Sequence, residues 1–127
     1  MNRVVLDASA ALAAFAQEPG AEKVAAILED SIMSSVNLAE ICGKLISRGL
    51  NRSEAEEAAL DAAKYIAPFD VEQALLAGAL IRQTRGLGLS LADRACLALA
   101  ITIKAPVYTT DKAWKKLDLG LDIHLIR

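Results

Sequence analysis

Aromatic residues are nearly missing from this sequence: one tryptophan, two tyrosines and two phenylalanines make up 4% of 127 residues. The apolar content, 54% of the chain, rests mainly on alanine and leucine. That balance favours helix-rich packing over an all-β sandwich, whose strands draw on aromatic and β-branched side chains. No apolar run approaches the roughly 20 residues of a membrane span. The start, Met1-Asn2-Arg3 running directly into a short strand and Asp7, lacks a secretory apolar stretch and its cleavage site. A cytoplasmic protein with no membrane partner is the expectation.

Cysteine and histidine are scarce as well. Cys42 and Cys96 fall inside apolar helical stretches, with no CxxC pair and no Cys/His cluster, which excludes a zinc site of the usual spacing. Both read as small buried hydrophobes. The single histidine, His124, sits in the apolar terminal run Ile123-His124-Leu125-Ile126 and reads as half-buried packing. Basic charge is not in excess: the net charge of -2 argues against an extended basic surface for nucleic acid and leaves room for a local patch.

What is present is an alternation of short strands and helices. Strands are expected at Arg3 to Leu6, Ile32 to Ser34, Tyr65 to Phe69, Val107 to Thr109 and Ile123 to Ile126. Between them run helices from Ala8 to Phe15, Ala21 to Glu29, Ser34 or Ser35 to about Arg48, Ser53 to about Lys64, Asp70 to about Arg85, Ser90 to Ile103 and Lys112 to Leu117. Ser53 with Glu56 fits a capping box, and Gly49 a C-terminal stop. Strands alternating with helices imply α/β architecture, one domain over residues 1–127, with a parallel sheet covered by helices.

Against that pattern four carboxylates stand out, each beside an apolar segment rather than in a polar run. Asp7 and Asp111 follow strands. Asp93 opens a helix with no further charge between Arg94 and Lys104, and Glu40 lies early in its helix. Ionised groups are costly to bury without compensation, and several carboxylates at one spot call for a cation, usually a divalent metal. Each acid also has a plain alternative. Asp7 and Asp111 fit helix caps, Ser90 and Asp93 fit a capping box, and Glu40 with Lys44 fits an exposed helix pair. Ligands in open α/β sheets bind outside the carboxyl ends of the strands, but spacing does not establish that all four acids share one rim.

The succession Leu6-Asp7-Ala8-Ser9-Ala10, Ser35-Val36-Asn37-Leu38-Ala39-Glu40, Leu91-Ala92-Asp93 and Tyr108-Thr109-Thr110-Asp111 resembles PIN-domain ribonucleases, most closely the small toxins of the VapC type. The resemblance covers nearly the whole chain, from Val4 to the last strand. It implies a single-domain PIN-like fold with a parallel sheet of about five strands flanked by helices. It also implies that Asp7, Glu40, Asp93 and Asp111 hold Mg²⁺ or Mn²⁺ and cut RNA, with Ser9 and Thr109 supporting the pocket. A homodimer and a cognate VapB-like antitoxin that blocks the cleft belong to the same implication. Ala11, Leu12, Phe15, Val24, Leu28, Ile41, Leu45 and Ile46 look like more apolar helix surface than one small sheet covers, which points the same way.

Arg94, Lys112, Lys115 and Lys116 form a candidate rim for RNA phosphates; the plain reading there is a solvated helix with Trp114 packed inward. Two other functions fit the pattern less well. A phosphoacceptor receiver-like signalling domain would use Asp70 after its strand, yet Asp7 is followed by Ala8 and Ser9 rather than a second acid. A non-catalytic PIN-like binding module would be expected to have lost some of the four acids.

Overall fold

The computed structural model describes residues 2–127. The strands are β1 (Val4–Leu6), β2 (Ser31–Ser34), β3 (Tyr65–Ala67), β4 (Val107–Thr109) and β5 (Ile123–Leu125), and every pairing between them is parallel. The sheet order is β3-β2-β1-β4-β5. The chain therefore starts in the middle, winds outward through β2 and β3, then returns to the other side of β1. That reversal puts a topological switch point between β1 and β4, the crevice where open α/β sheets bind ligands.

The helices are α1 (Ala8–Phe15), α2 (Ala21–Ile27), α3 (Ser35–Ser47), α4 (Arg52–Leu60), α5 (Val71–Ala79), α6 (Ile81–Thr84) and α7 (Leu91–Ile103), with a 3-10 turn at Lys112–Lys116. Alternate strand residues feed two cores, as a period of two requires. Leu6 and Met33 pack with α1 to α4, whereas Val5, Val107 and Ile123 pack with α5, α7 and the fully buried Trp114. Six consecutive residues of α7, Ala95 to Ala100, are buried, as expected for a helix apolar on all sides. Gly20 adopts φ 99°, and a Cβ there would stand 2.6 Å from the Ile126 carbonyl oxygen, so the turn into α2 needs glycine.

Some boundaries differ from the sequence expectation for identifiable reasons. Asn51 and Glu54, not Ser53 and Glu56, make the capping box of α4. Glu56 instead meets Arg52 at 3.0 Å. The helix stops at Leu60, well short of Lys64. Strand β3 ends at Ala67 because the Phe69 N–H turns away to the Ser35 hydroxyl at 3.0 Å. With Ser35 so engaged, Ser34 caps α3 by accepting from Val36 N–H. The long helix expected after Asp70 breaks at Leu80 into α5 and α6.

The apolar surface is also distributed differently. Ala11, Leu12, Val24, Ile41 and Leu45 are core residues; of the eight named above only Phe15 and Ile46 are markedly exposed. The most exposed large apolar side chains are Val71 and Leu75 on α5, at 76% and 72%. Among the described residues no helix is long and apolar enough to cross a membrane.

Candidate metal centre

Parallel strands place their carboxyl ends on one rim, and a helix that returns the chain between them starts at that rim. β1 and β4 are neighbours, so Asp7 and Asp111, which follow them, emerge side by side. α3 begins directly from the end of β2, and α7 runs back toward the start of β4, which brings the first turns of both helices to the same rim. The result is one cavity of about 250 Å³ lined by Asp7, Ala8, Ser9, Glu40, Lys44, Asp93, Thr110 and Asp111. All four carboxylates named from the sequence reach it.

Asp7 is the most buried of them, at 4% exposure. It caps α1 by accepting from Ala10 N–H at 2.8 Å, and it accepts the Thr109 hydroxyl at 2.5 Å and the Ser9 hydroxyl at 2.7 and 2.9 Å. The same hydroxyls reach the other strand end: Thr110 N–H donates to Ser9 Oγ at 3.0 Å and Asp111 N–H to Thr109 Oγ1 at 3.1 Å. Burial nevertheless pushes the Asp7 pKa up from 3.8 to about 6; the bonds from Thr109, Ala10 and Ser9 oppose the shift, and the charge of Asp93 adds to it. Beneath the acids lies Cys96. Burial pushes its thiol well up, and the charges of Asp7, Asp93 and Glu40 all contribute.

The other three acids keep the local contacts that their sequence alternatives suggested. Asp93 accepts from Ser90 N–H at 3.0 Å in a capping box. Asp111 caps the 3-10 turn by accepting from Ala113 N–H at 2.9 Å. Glu40 Oε2 lies 3.9 Å from Lys44 Nζ. Held in this way, no three Asp, Glu, His or Cys side chains among the described residues are drawn into a ready-made coordination cluster. The donor set still suits a hard divalent cation: four carboxylates face one small cavity, one of them buried and reluctant to ionise, with Lys44 the cation in the lining. Each cap uses one carboxylate oxygen and leaves its partner free.

The basic residues divide. Lys112, the residue after Asp111, and Lys116 are exposed. Lys115 donates to the Ile123 carbonyl at 2.6 Å, and Arg94 donates to the Ala77 carbonyl at 2.9 Å, so these two are tied to backbone away from the cavity. Lys44 and Thr110 also line the cavity, although from the sequence Lys44 read only as an exposed partner of Glu40 and Thr110 only as part of a motif. The signal for Lys44 was its place four residues after Glu40. His124 is half-buried, stacks on Tyr108 with ring centroids 4.9 Å apart, and meets Asp122 at 3.1 Å. Cys96 is fully buried and Cys42 only partly so. Asp70 lies beyond the edge strand β3, two strands from β1, and caps α5 through Gln73 N–H at 2.9 Å. That position removes the receiver-like alternative, whose acceptor must face the acid pocket.

A parallel sheet with an acid-lined cavity at its switch point defines a class of α/β proteins; comparison with known sequences and structures narrows it. The sequence matches the PIN domain family over residues 4–119, and the chain belongs to that family. Its fold is similar to a chain of the toxin–antitoxin complex from Klebsiella pneumoniae, at 17% identity and a TM-score of 0.76, covering 98% of each chain. A chain of the DNA-bound VapBC of Salmonella typhimurium gives 15%, 0.74 and full coverage of both. For FitAcB of Neisseria gonorrhoeae the values are 20%, 0.64, 94% of this chain and 95% of the other. A comparison with curated protein sequences found no match.

Proposed function

We propose that this PIN domain is a divalent-cation-dependent endoribonuclease and the toxin of a VapBC-type pair. The observation that carries the reading is the cavity at the β1/β4 switch point, which four acids from distant parts of the chain line together and where the buried Asp7 resists ionisation. The similarity of the fold to chains from toxin–antitoxin complexes supports the biological setting.

In this reading Asp7, Glu40, Asp93 and Asp111 hold Mg²⁺ or Mn²⁺. A bound divalent ion lowers the pKa of water and offsets charge on the scissile phosphate. The chain supplies the rest. Ser9 and Thr109 hold the Asp7 carboxylate in place, and Asp93 and Asp111 offer the oxygens that their caps leave free. Because Arg94 and Lys115 are occupied by carbonyls, phosphate contact falls to Lys44, Lys112 and Lys116. With three such cations near the cavity and a net charge of -2 overall, non-specific RNA binding is weak, and selectivity rests on unstacked bases in single-stranded loops.

The partners follow from two apolar surfaces. A groove of about 1030 Å³ between α1, α2, α3 and α4 has an apolar floor with Phe15 at its edge and Glu18, Glu22, Glu54, Glu57 and Asp61 around it. It suits an amphipathic segment of the antitoxin with basic residues on its polar side. The exposed Val71 and Leu75 mark α5 as the surface for a second copy of the chain.

The experiment is direct. Metal-stripped protein is given Mn²⁺ and total cellular RNA, with and without EDTA, beside Asp7→Ala; expression of both forms is scored for growth arrest. Cleavage that needs the ion and Asp7, with arrest that needs Asp7, is the expected result. RNA left uncut by the Mn²⁺-loaded protein, together with equal toxicity of both forms, refutes the proposal.

A further inference from the structure

Helix α3 buries one line of residues completely: Asn37, Ile41 and Leu45, one turn apart. Two belong there by chemistry and the first does not. Asn37 is 1% exposed, its Nδ2 donates to the Ala92 carbonyl at 3.1 Å, and among the described residues its Oδ1 finds no protein hydrogen-bond partner. A buried acceptor without a partner lowers stability, and a leucine would fill the same line without that penalty. A residue that breaks the pattern of its own helix at a cost to the fold is what a functional constraint leaves behind.

The bond's position shows what the constraint is. Glu40 lies three residues after Asn37 on α3, and Asp93 directly follows Ala92 on α7. Among the described residues this is the sole side-chain hydrogen bond between the two helices. Asp7 and Asp111, by contrast, are joined through Ser9, Thr109 and Thr110 by several bonds. We propose that Asn37 is a positioning residue whose amide holds the first turn of α7 against α3 and so sets the separation of Glu40 and Asp93 across the acidic cavity. The role rests on the reading of that cavity as a divalent-cation site. Asn37 itself does not line the cavity.

A structural and a positioning role predict opposite couplings between stability and metal affinity. The test compares the unaltered chain with Asn37→Leu and with Leu45→Ala, a deletion farther along the same buried line. Thermal unfolding in EDTA and calorimetric titration with Mn²⁺ are measured on each, together with amide exchange over residues 91–96. Asn37→Leu should unfold at the same temperature as the unaltered chain or higher, bind Mn²⁺ at least tenfold more weakly, and exchange faster at the start of α7. Leu45→Ala should lose stability and keep its Mn²⁺ affinity within about twofold, once measured where it is folded. An Asn37→Leu chain that unfolds several degrees earlier, or fails to fold, makes Asn37 an ordinary core contact and overturns the role. Equal Mn²⁺ affinity in Asn37→Leu and the unaltered chain overturns the role alone. An unaltered chain that binds no Mn²⁺ overturns the reading of the cavity, and this role with it.

Discussion

The two halves of the acidic cavity are held in different ways. On the sheet side, Asp7 and Asp111 follow adjacent parallel strands, and two hydroxyls together with the N–H groups of Ala10, Thr110 and Asp111 lock them in place. On the helix side, Glu40 and Asp93 stand on separate packed helices that share, among the described residues, one side-chain hydrogen bond, and their own polar contacts there are local, to Lys44 and to the Ser90 N–H. A strand end is fixed by its ladder, whereas a helix start moves with the whole helix unless a side chain pins it. The sheet half is therefore the rigid reference of the site, and the helix half is where its geometry can be tuned.

The largest effect should come from the reference itself. Asp7→Asn keeps an acceptor for the Ala10 cap while removing the buried charge; nuclease activity should fall at least about 100-fold, the order expected for loss of a preorganised electrostatic group. Without metal the same variant should be more stable than the unaltered chain at pH 7.5, because raising the Asp7 pKa from 3.8 to about 6 costs about 3 kcal/mol at neutral pH. Calorimetric unfolding in EDTA measures it, and a loss of stability would mean that Asp7 is chiefly a structural cap.

A pH series tests the same burial without mutation. The folded pKa lies above the unfolded one, so the native state binds the proton more tightly. This contribution to stability is fully present below pH 3.8 and is lost as pH rises through about 6. Metal-free protein should accordingly gain stability from Asp7 between pH 7 and pH 5. Mn²⁺ binding near pH 6 should release a proton and weaken as pH falls. Denaturant titration across that range decides the first point; calorimetry in buffers of different ionisation enthalpy decides the second.

Thr109→Val should have a smaller effect. It removes a donor to Asp7 and an acceptor for Asp111 N–H while preserving volume. Stability should drop by about 1–2 kcal/mol, and the pH midpoint of Mn²⁺ binding should rise. An unchanged midpoint would remove the Thr109 hydroxyl from the site's electrostatics.

The least effect on stability belongs to Lys44→Ala. Its pair with Glu40 is 3.9 Å long and half-exposed, so stability should change by less than about 0.5 kcal/mol. If Lys44 meets phosphate, KM for RNA should rise several-fold with little change in kcat. An effect on kcat alone would mean that Lys44 acts through Glu40.

Much of this protein follows from local chemistry, which is why its sequence was legible. The α/β alternation, the Asp7 cap and the Ser90–Asp93 box each depend on residues within a turn of one another. The β3 boundary was less legible because the competitor for its ladder, the Ser35 hydroxyl, is 34 residues away in the chain. Asp7, Glu40, Asp93 and Asp111 could be named from their order, yet each had a local explanation, and each local explanation also holds in the folded chain. Only the parallel sheet, by starting in its middle and reversing at β1 and β4, decided that strand ends and helix starts share one rim. The same topology carried Lys44 into the cavity, turned Arg94 and Lys115 away from it, and buried Asn37 between two helices. The reason is one of range: caps and periodicity act over three or four residues, whereas a cavity lined from positions 7, 40, 93 and 111 exists only after the strands have paired.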